Sequence, residues 1–187
     1  MDAETWSLIV SFFAMLLIAM SYFLKSKSGF LLFQAIGIVF LMTSYLLDGS
    51  YFAMIGLGIG LARSLTFYFF EQKDKTPSIF FPILFSALSV AAYIVTNLVI
   101  LKDAKYYDII YLIGLILYAF VFWIRNLEFM RYAVTIPTAL SILYNVMSGA
   151  AAFVIVSYTF ELGANLVAIF KYHILNKDKN TTEKKEK

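Results

Sequence analysis

Residues 109–123 read IIYLIGLILYAFVFW. This run decides the fold. A membrane β-strand alternates apolar and polar residues over about ten positions, and no alternation is present here. The block is apolar on every side, which a helix inside a hydrocarbon layer tolerates and a barrel strand does not.

Charged residues flank the block at Asp108 and Arg125, and the same layout repeats in both directions. Six further apolar runs can be marked. They cover 5–24, 30–47, 51–70, 79–101, 132–147 and 150–172, with the quoted block widening to 107–124. Short charged or turn-forming stretches separate them, such as Lys25-Ser-Lys27, Asp48-Gly49-Ser50 and Glu71–Lys75. Most runs approach the roughly 20 residues that a bilayer requires. The run at 132–147 is short and holds Pro137, which can kink a helix.

Composition agrees. Of 187 residues, 61% are hydrophobic and 14% charged, against about 25% charged in soluble domains. Mean hydropathy is +0.81. The expected fold is therefore an all-α membrane protein of seven transmembrane helices. The N-terminal run is expected to be a span and not a cleaved signal, because Asp2 and Glu4 stand where a positive n-region belongs. The sequence has no cysteine and one histidine, His173, which leaves no thiolate site and no histidine metal cluster. No Ser-His-Asp set, HExxH or phosphate loop is present, so no enzyme, cofactor or metal is expected. The basic excess gathers in the tail, where it reads as a topology signal and not as a nucleic-acid site.

Orientation follows from lysine and arginine. With seven spans and the N-terminus outside, the cytoplasmic segments hold Lys25, Lys27, Lys73, Lys75, Arg125, Arg131 and Lys171. The tail adds Lys177, Lys179, Lys184, Lys185 and Lys187, making twelve. The external segments hold Lys102 and Lys105, and Arg63 lies inside a span.

The chain also repeats itself. Shifted by about 100 residues, the first three spans fall on the last three. Ile9, Leu17, Ala19, Phe23, Lys25 and Gly49 meet Ile109, Leu117, Ala119, Trp123, Arg125 and Gly149. Tyr45 meets Tyr144 at an offset of 99, and Ala62 meets Ala164 at 102. Two triplets in one orientation need an odd connecting helix between them, a known transporter plan. The expected organisation is a first three-helix repeat at 1–75, a linker helix at 76–105, a second repeat at 106–175 and a disordered cytoplasmic tail at 176–187.

This three-one-three layout resembles the SWEET and PQ-loop superfamily of small transporters. More closely, the chain resembles the bacterial YgjV family of inner-membrane proteins. The resemblance is carried by the first two spans with Lys25-Ser-Lys27 and by Leu61-Ala-Arg63-Ser-Leu-Thr66. The block from Arg131 through Tyr144-Asn145 to Ser148-Gly149 adds to it, as does Asn165 through Lys171. It implies an inner-membrane location. The Pro-Gln dipeptide is absent, and the first and fifth spans lack proline, so the hinge of the sugar carriers does not transfer.

Five residues are expected to bind substrate: Arg63, Glu161, Asn165, Asn145 and Gln34. Glu161 lies eleven residues into its span, about 16 Å deep at 1.5 Å per residue. An ionisable group at that depth must be paired, hydrated or protonated. Arg63 lies at about 18 Å in the repeat-equivalent span and keeps its charge, so it requires an anion. That anion is Glu161, a substrate carboxylate, or each in turn, unless the arginine snorkels to the cytoplasmic face. Asn165 follows Glu161 by four residues on one helix face, and by resemblance to the sugar carriers it is a substrate contact. Asn145 and Gln34 are weaker members of the set. Each of these polar side chains has an alternative role in tying helices together. Gly56, Gly58 and Gly60 with Ala62 look like a close-packing face.

The sequence thus points to a small-solute transporter working by alternating access, with a charged or zwitterionic substrate. The alternative is a non-transporting membrane scaffold or partner subunit. The expected surroundings are lipid and a small solute, and the sequence leaves self-association open.

Overall fold

The computed structural model describes residues 3–47, 51–100, 105–149 and 152–174. The proposed disordered tail lies outside these residues. Among the described residues there are seven α-helices: α1 Ala3–Ser21, α2 Lys27–Leu47, α3 Tyr51–Gln72, α4 Phe80–Tyr93, α5 Asp108–Trp123, α6 Leu127–Met147 and α7 Ala152–Ile169. α4 continues as a π-helical stretch, Ile94–Ile100, and α7 as a shorter one, Phe170–Ile174. No strand occurs among the described residues.

Among the described residues three helical windows are long and apolar enough to cross a membrane: Lys27–Ser44, Phe80–Leu98 and Phe153–Tyr172. Thr5–Ser21 and Asp108–Trp123 are apolar but shorter. Large apolar side chains such as Leu8, Phe13, Ile109, Ile136 and Val156 are about half exposed on the outside of the bundle. An apolar surface of that kind suits contact with lipid.

The core gathers at the end of the bundle where α1, α3 and α5 finish. Tyr22, Phe30, Phe67, Phe85 and Phe122 form it together with Met130. Ring edges meet ring faces at centroid separations of 5.2 Å for Tyr22–Phe30, 5.7 Å for Phe30–Phe122 and 6.1 Å for Phe67–Phe85. Such pairs add about 0.5–1.5 kcal/mol each beyond burial.

α6 starts five residues before the apolar run suggests. The Asn126 side chain caps it by accepting the Phe129 N–H at 3.1 Å. Arg131, read in the sequence as a loop residue, is therefore inside the helix and 2% exposed. Its Nη2 donates to the Leu24 carbonyl at 2.6 Å, just beyond the end of α1, and its guanidinium lies 5.1 Å from the Tyr172 ring centroid. Carbonyls left over at a helix C-terminus are natural partners for a cation. Lys27 is likewise no loop lysine. It opens α2 with its side chain 3% exposed, and its Nζ lies 3.4 Å from Glu71 Oε2.

Helix-pair contacts recur 100 residues apart. Ser7 and Ser11 of α1 both bond the Ser44 hydroxyl of α2, the first at 2.8 Å. Tyr107, at the start of α5, and Tyr111 within it pack on Tyr144 of α6, with centroids 6.1 and 4.8 Å apart. A Cβ on Gly37 would lie 3.3 Å from the Ala14 carbonyl oxygen, while one on Gly114 would lie 3.7 Å from that of Pro137. Small residues thus stand at 14 and 37, and again at 114 with Pro137, where each pair of helices crosses. α1 packs on α7, and α3 packs on α5; α4 packs on both α3 and α5.

The crossing at Gly37 has no spare room, since an added Cβ would stand 2.6 Å from Ile18 Cγ1. Gly37→Ala is expected to cost about 1–3 kcal/mol by overpacking. Gly58→Ala has no neighbour within 4 Å and should gain up to ~1 kcal/mol of helix propensity. Thermal unfolding of both variants checks the contrast, and equal shifts would contradict it. The glycine face expected on α3 is therefore not a packing face. Gly56 and Gly60 line a cavity instead.

Candidate functional site

A cavity of about 240 Å³ lies inside the bundle, lined by residues of α1, α2, α3, α5, α6 and α7 and by none of α4. It runs from the Ser7 and Ser44 hydroxyls at one end to Phe122 at the other. Arg63 and Glu161 both line it.

Arg63 sits on α3 and is 7% exposed. Its Nη2 comes within 3.8 Å of where a Gly60 Cβ would stand. The side chain thus leans toward the N-terminal end of α3, the direction helical side chains favour. Snorkelling toward the opposite end is excluded. The guanidinium carbon lies 4.8 Å from the Phe122 ring centroid and 5.5 Å from that of Tyr118. These faces offer cation–π attraction of about 0.5–2 kcal/mol, but they satisfy no N–H. Nε is buried without a hydrogen-bond partner. The Tyr118 hydroxyl is itself engaged with Thr138 Oγ1 at 2.8 Å.

Glu161 projects from α7. Its Oε1 accepts the Tyr22 hydroxyl at 2.6 Å, and Tyr22 is fully buried. No ion pair joins Glu161 to Arg63 among the described residues. The two ionisable side chains share one cavity, but each is held by aromatic residues instead of by the other. Gln34 lines the same cavity and donates from Nε2 to Ser21 Oγ at 3.0 Å.

The two asparagines lie elsewhere. Asn165 is 1% exposed and outside the cavity lining. Its Nδ2 donates to the Arg131 carbonyl at 2.9 Å and to Thr135 Oγ1 at 3.1 Å, tying α7 to α6. Asn145 donates to the Ser141 carbonyl of its own helix at 2.7 Å and is also outside the lining. Four-residue spacing put Asn165 on the Glu161 face, yet one turn further along that face meets α6.

Sequence reasoning missed Tyr22, Tyr118 and the serine cluster. Tyrosine and serine are common in membrane helices and carry no charge, so nothing marks them individually. A signal was nonetheless present. Tyr22 and Phe122 are 100 residues apart, and each reaches the charged residue of a helix in the other half.

Polar contacts between the halves concentrate where α1 ends. Besides the Tyr22 bond, the Phe23 carbonyl accepts the Tyr172 hydroxyl at 3.0 Å, and the Leu24 carbonyl accepts from Arg131. A second, larger hollow of about 660 Å³ runs between α1 and α7. Met20, Phe160 and Val167 are half exposed there, and no ionisable side chain among the described residues lines it.

No curated protein and no solved structure matches the chain. A family model described as bacterial inner membrane protein matches residues 5–175. An apolar helical bundle with charged side chains turned inward suits that description, and the chain belongs to the Imp-YgjV family of bacterial inner membrane proteins.

Proposed function

We propose that the chain is a small-solute membrane transporter that exposes its central cavity alternately to the two sides of the membrane. The observation that carries this reading is Arg63, a buried cation with an unpartnered Nε, lining a cavity to which six helices contribute. A buried charge costs several kcal/mol, and a ligand able to compensate it gives a reason to retain it. The substrate is charged or zwitterionic, and Arg63, Glu161 and Gln34 contact it. The scaffold reading would want those side chains satisfied within the protein, and Arg63 is not.

The working parts are two parallel three-helix repeats, 1–75 and 106–175, joined by a linker helix at 76–105. Support comes from the contacts that recur 100 residues apart and from the paired meetings of α1 with α7 and α3 with α5. The aromatic core and the bonds around residues 22–24 close one end of the cavity. The lysine and arginine bias makes that end cytoplasmic, with the N-terminus outside. Single cysteines at Ser50 and Ser148 should label from outside, and one at Ser26 should not. Labelling at Ser26 would invert the topology. Uptake by proteoliposomes across a panel of charged and zwitterionic metabolites tests the function. Absence of protein-dependent flux for the whole panel would return the scaffold reading.

A further inference from the structure

Two opposite charges in a medium of low dielectric attract strongly. Arg63 and Glu161 line one cavity and still do not pair among the described contacts. Tyr22 holds the carboxylate from α1, and the Phe122 and Tyr118 rings hold the guanidinium from α5. A ligand carrying only a negative charge would gain Arg63 but face the Glu161 carboxylate. A ligand carrying only a positive charge would meet the reverse conflict. A dipolar ligand meets neither, and it leaves the cavity's charge balance unchanged.

The chemistry of each end specifies the groups. The guanidinium offers a planar fork of N–H donors that matches a carboxylate. Nε, one prong of that fork, is the buried donor without a partner. The Glu161 carboxylate has two oxygens, of which the Tyr22 hydroxyl occupies one. It can accept an ammonium as well. The rings of Tyr111, Tyr118 and Tyr158 line the same space, and ring faces favour cations. At about 240 Å³ the cavity falls just below the ~300–1,000 Å³ of drug-sized pockets, which limits the ligand to a small metabolite.

We infer that this site takes a zwitterion of amino-acid size, with its carboxylate on Arg63 and its ammonium on Glu161. The inference rests on the transport reading of the same cavity. The test uses purified full-length protein in detergent, with the thermal midpoint reporting binding. The probes are the standard amino acids. Any that bind are titrated beside the amine and the carboxylic acid left by removing one of the two groups. At least one amino acid is expected to raise the midpoint, and both of its fragments should bind at least about tenfold more weakly.

The variants should then split by end. Arg63→Gln should bind the amino acid no better than the amine, and Glu161→Gln no better than the carboxylic acid. A merely structural role for either residue would weaken all three probes alike. If Arg63→Gln does not fold, Arg63→Lys keeps the charge without the fork and should weaken the carboxylate-bearing probes selectively. Binding of a fragment as tight as that of the amino acid overturns the inference, as does absence of any shift across the panel. Amino-acid binding without exchange in proteoliposomes would leave the ligand assignment standing and overturn transport. Flux of a solute that is not a zwitterion would do the opposite.

Discussion

Arg63→Met is expected to abolish uptake while leaving the empty protein as stable as the parent or more so. The guanidinium makes no hydrogen bond or ion pair among the described residues, and its buried Nε is unsatisfied. Its contribution to the empty bundle is the attraction of two rings, about 0.5–2 kcal/mol. Against that stands the several kcal/mol needed to take a charge out of water. Methionine fills similar space with an adaptable apolar chain, so the balance favours the variant. A bound carboxylate, by contrast, loses two charge-assisted hydrogen bonds of about 1.5–3 kcal/mol each, a fall in affinity of at least about a hundredfold. Thermal unfolding without solute and uptake with it measure the two halves. A variant that unfolds several degrees early would show that Arg63 holds the helices together.

Glu71→Ala should be the most destabilising single change at the Lys27–Glu71 pair. Lys27 has its side chain 3% exposed and Glu71 22%, at 3.4 Å. Lys27 also opens α2, where the helix dipole disfavours a cation. Removing Glu71 strands that ammonium, at a cost of about 3–5 kcal/mol. Lys27→Met removes the more deeply buried charge and leaves Glu71 partly in solvent, so it should cost far less. The double variant Lys27→Met with Glu71→Ala should regain most of the loss. Midpoints of the two single variants and the double variant give the coupling, and additive losses would mean that the pair is only adjacent.

Much of the bundle was readable because hydropathy integrates over a whole span. A run such as 109–123 is apolar along its whole length, and errors at one residue average out. Errors collected at charged residues near helix ends. Arg131 and Lys27 look like punctuation in one dimension, and only packing reveals that a carbonyl of residue 24 and the Glu71 carboxylate await them. Depth along the span placed Arg63 and Glu161 in one cavity, but depth says nothing about rotation around the helix axis. Asn165 failed to join the lining for that reason. Arg63 and Glu161, one of the pairings the sequence left open, do not meet for a related reason. Tyr22 and Phe122 arrive from the ends of other helices, and no spacing rule within α3 or α7 could announce them.

The serine cluster at Ser7, Ser11 and Ser44 and the tyrosine cluster at Tyr107, Tyr111 and Tyr144 occupy matching places in the two halves. One half offers small hydroxyls at the cavity's far end, while of the three rings in the other only Tyr111 lines the cavity among the described residues. On the proposed transport reading the two halves run the same way through the membrane, so exchanging them never exchanges its two faces. Such a carrier has a front and a back whatever its halves contain, so its influx and efflux should differ in maximal rate and in half-saturation. Without an energy source the two differences must cancel in their ratio, because a passive carrier cannot shift the equilibrium it serves. The direction in which a cell loads the solute would then be set by its gradient, and the lopsided mouth would set only how soon that gradient is spent.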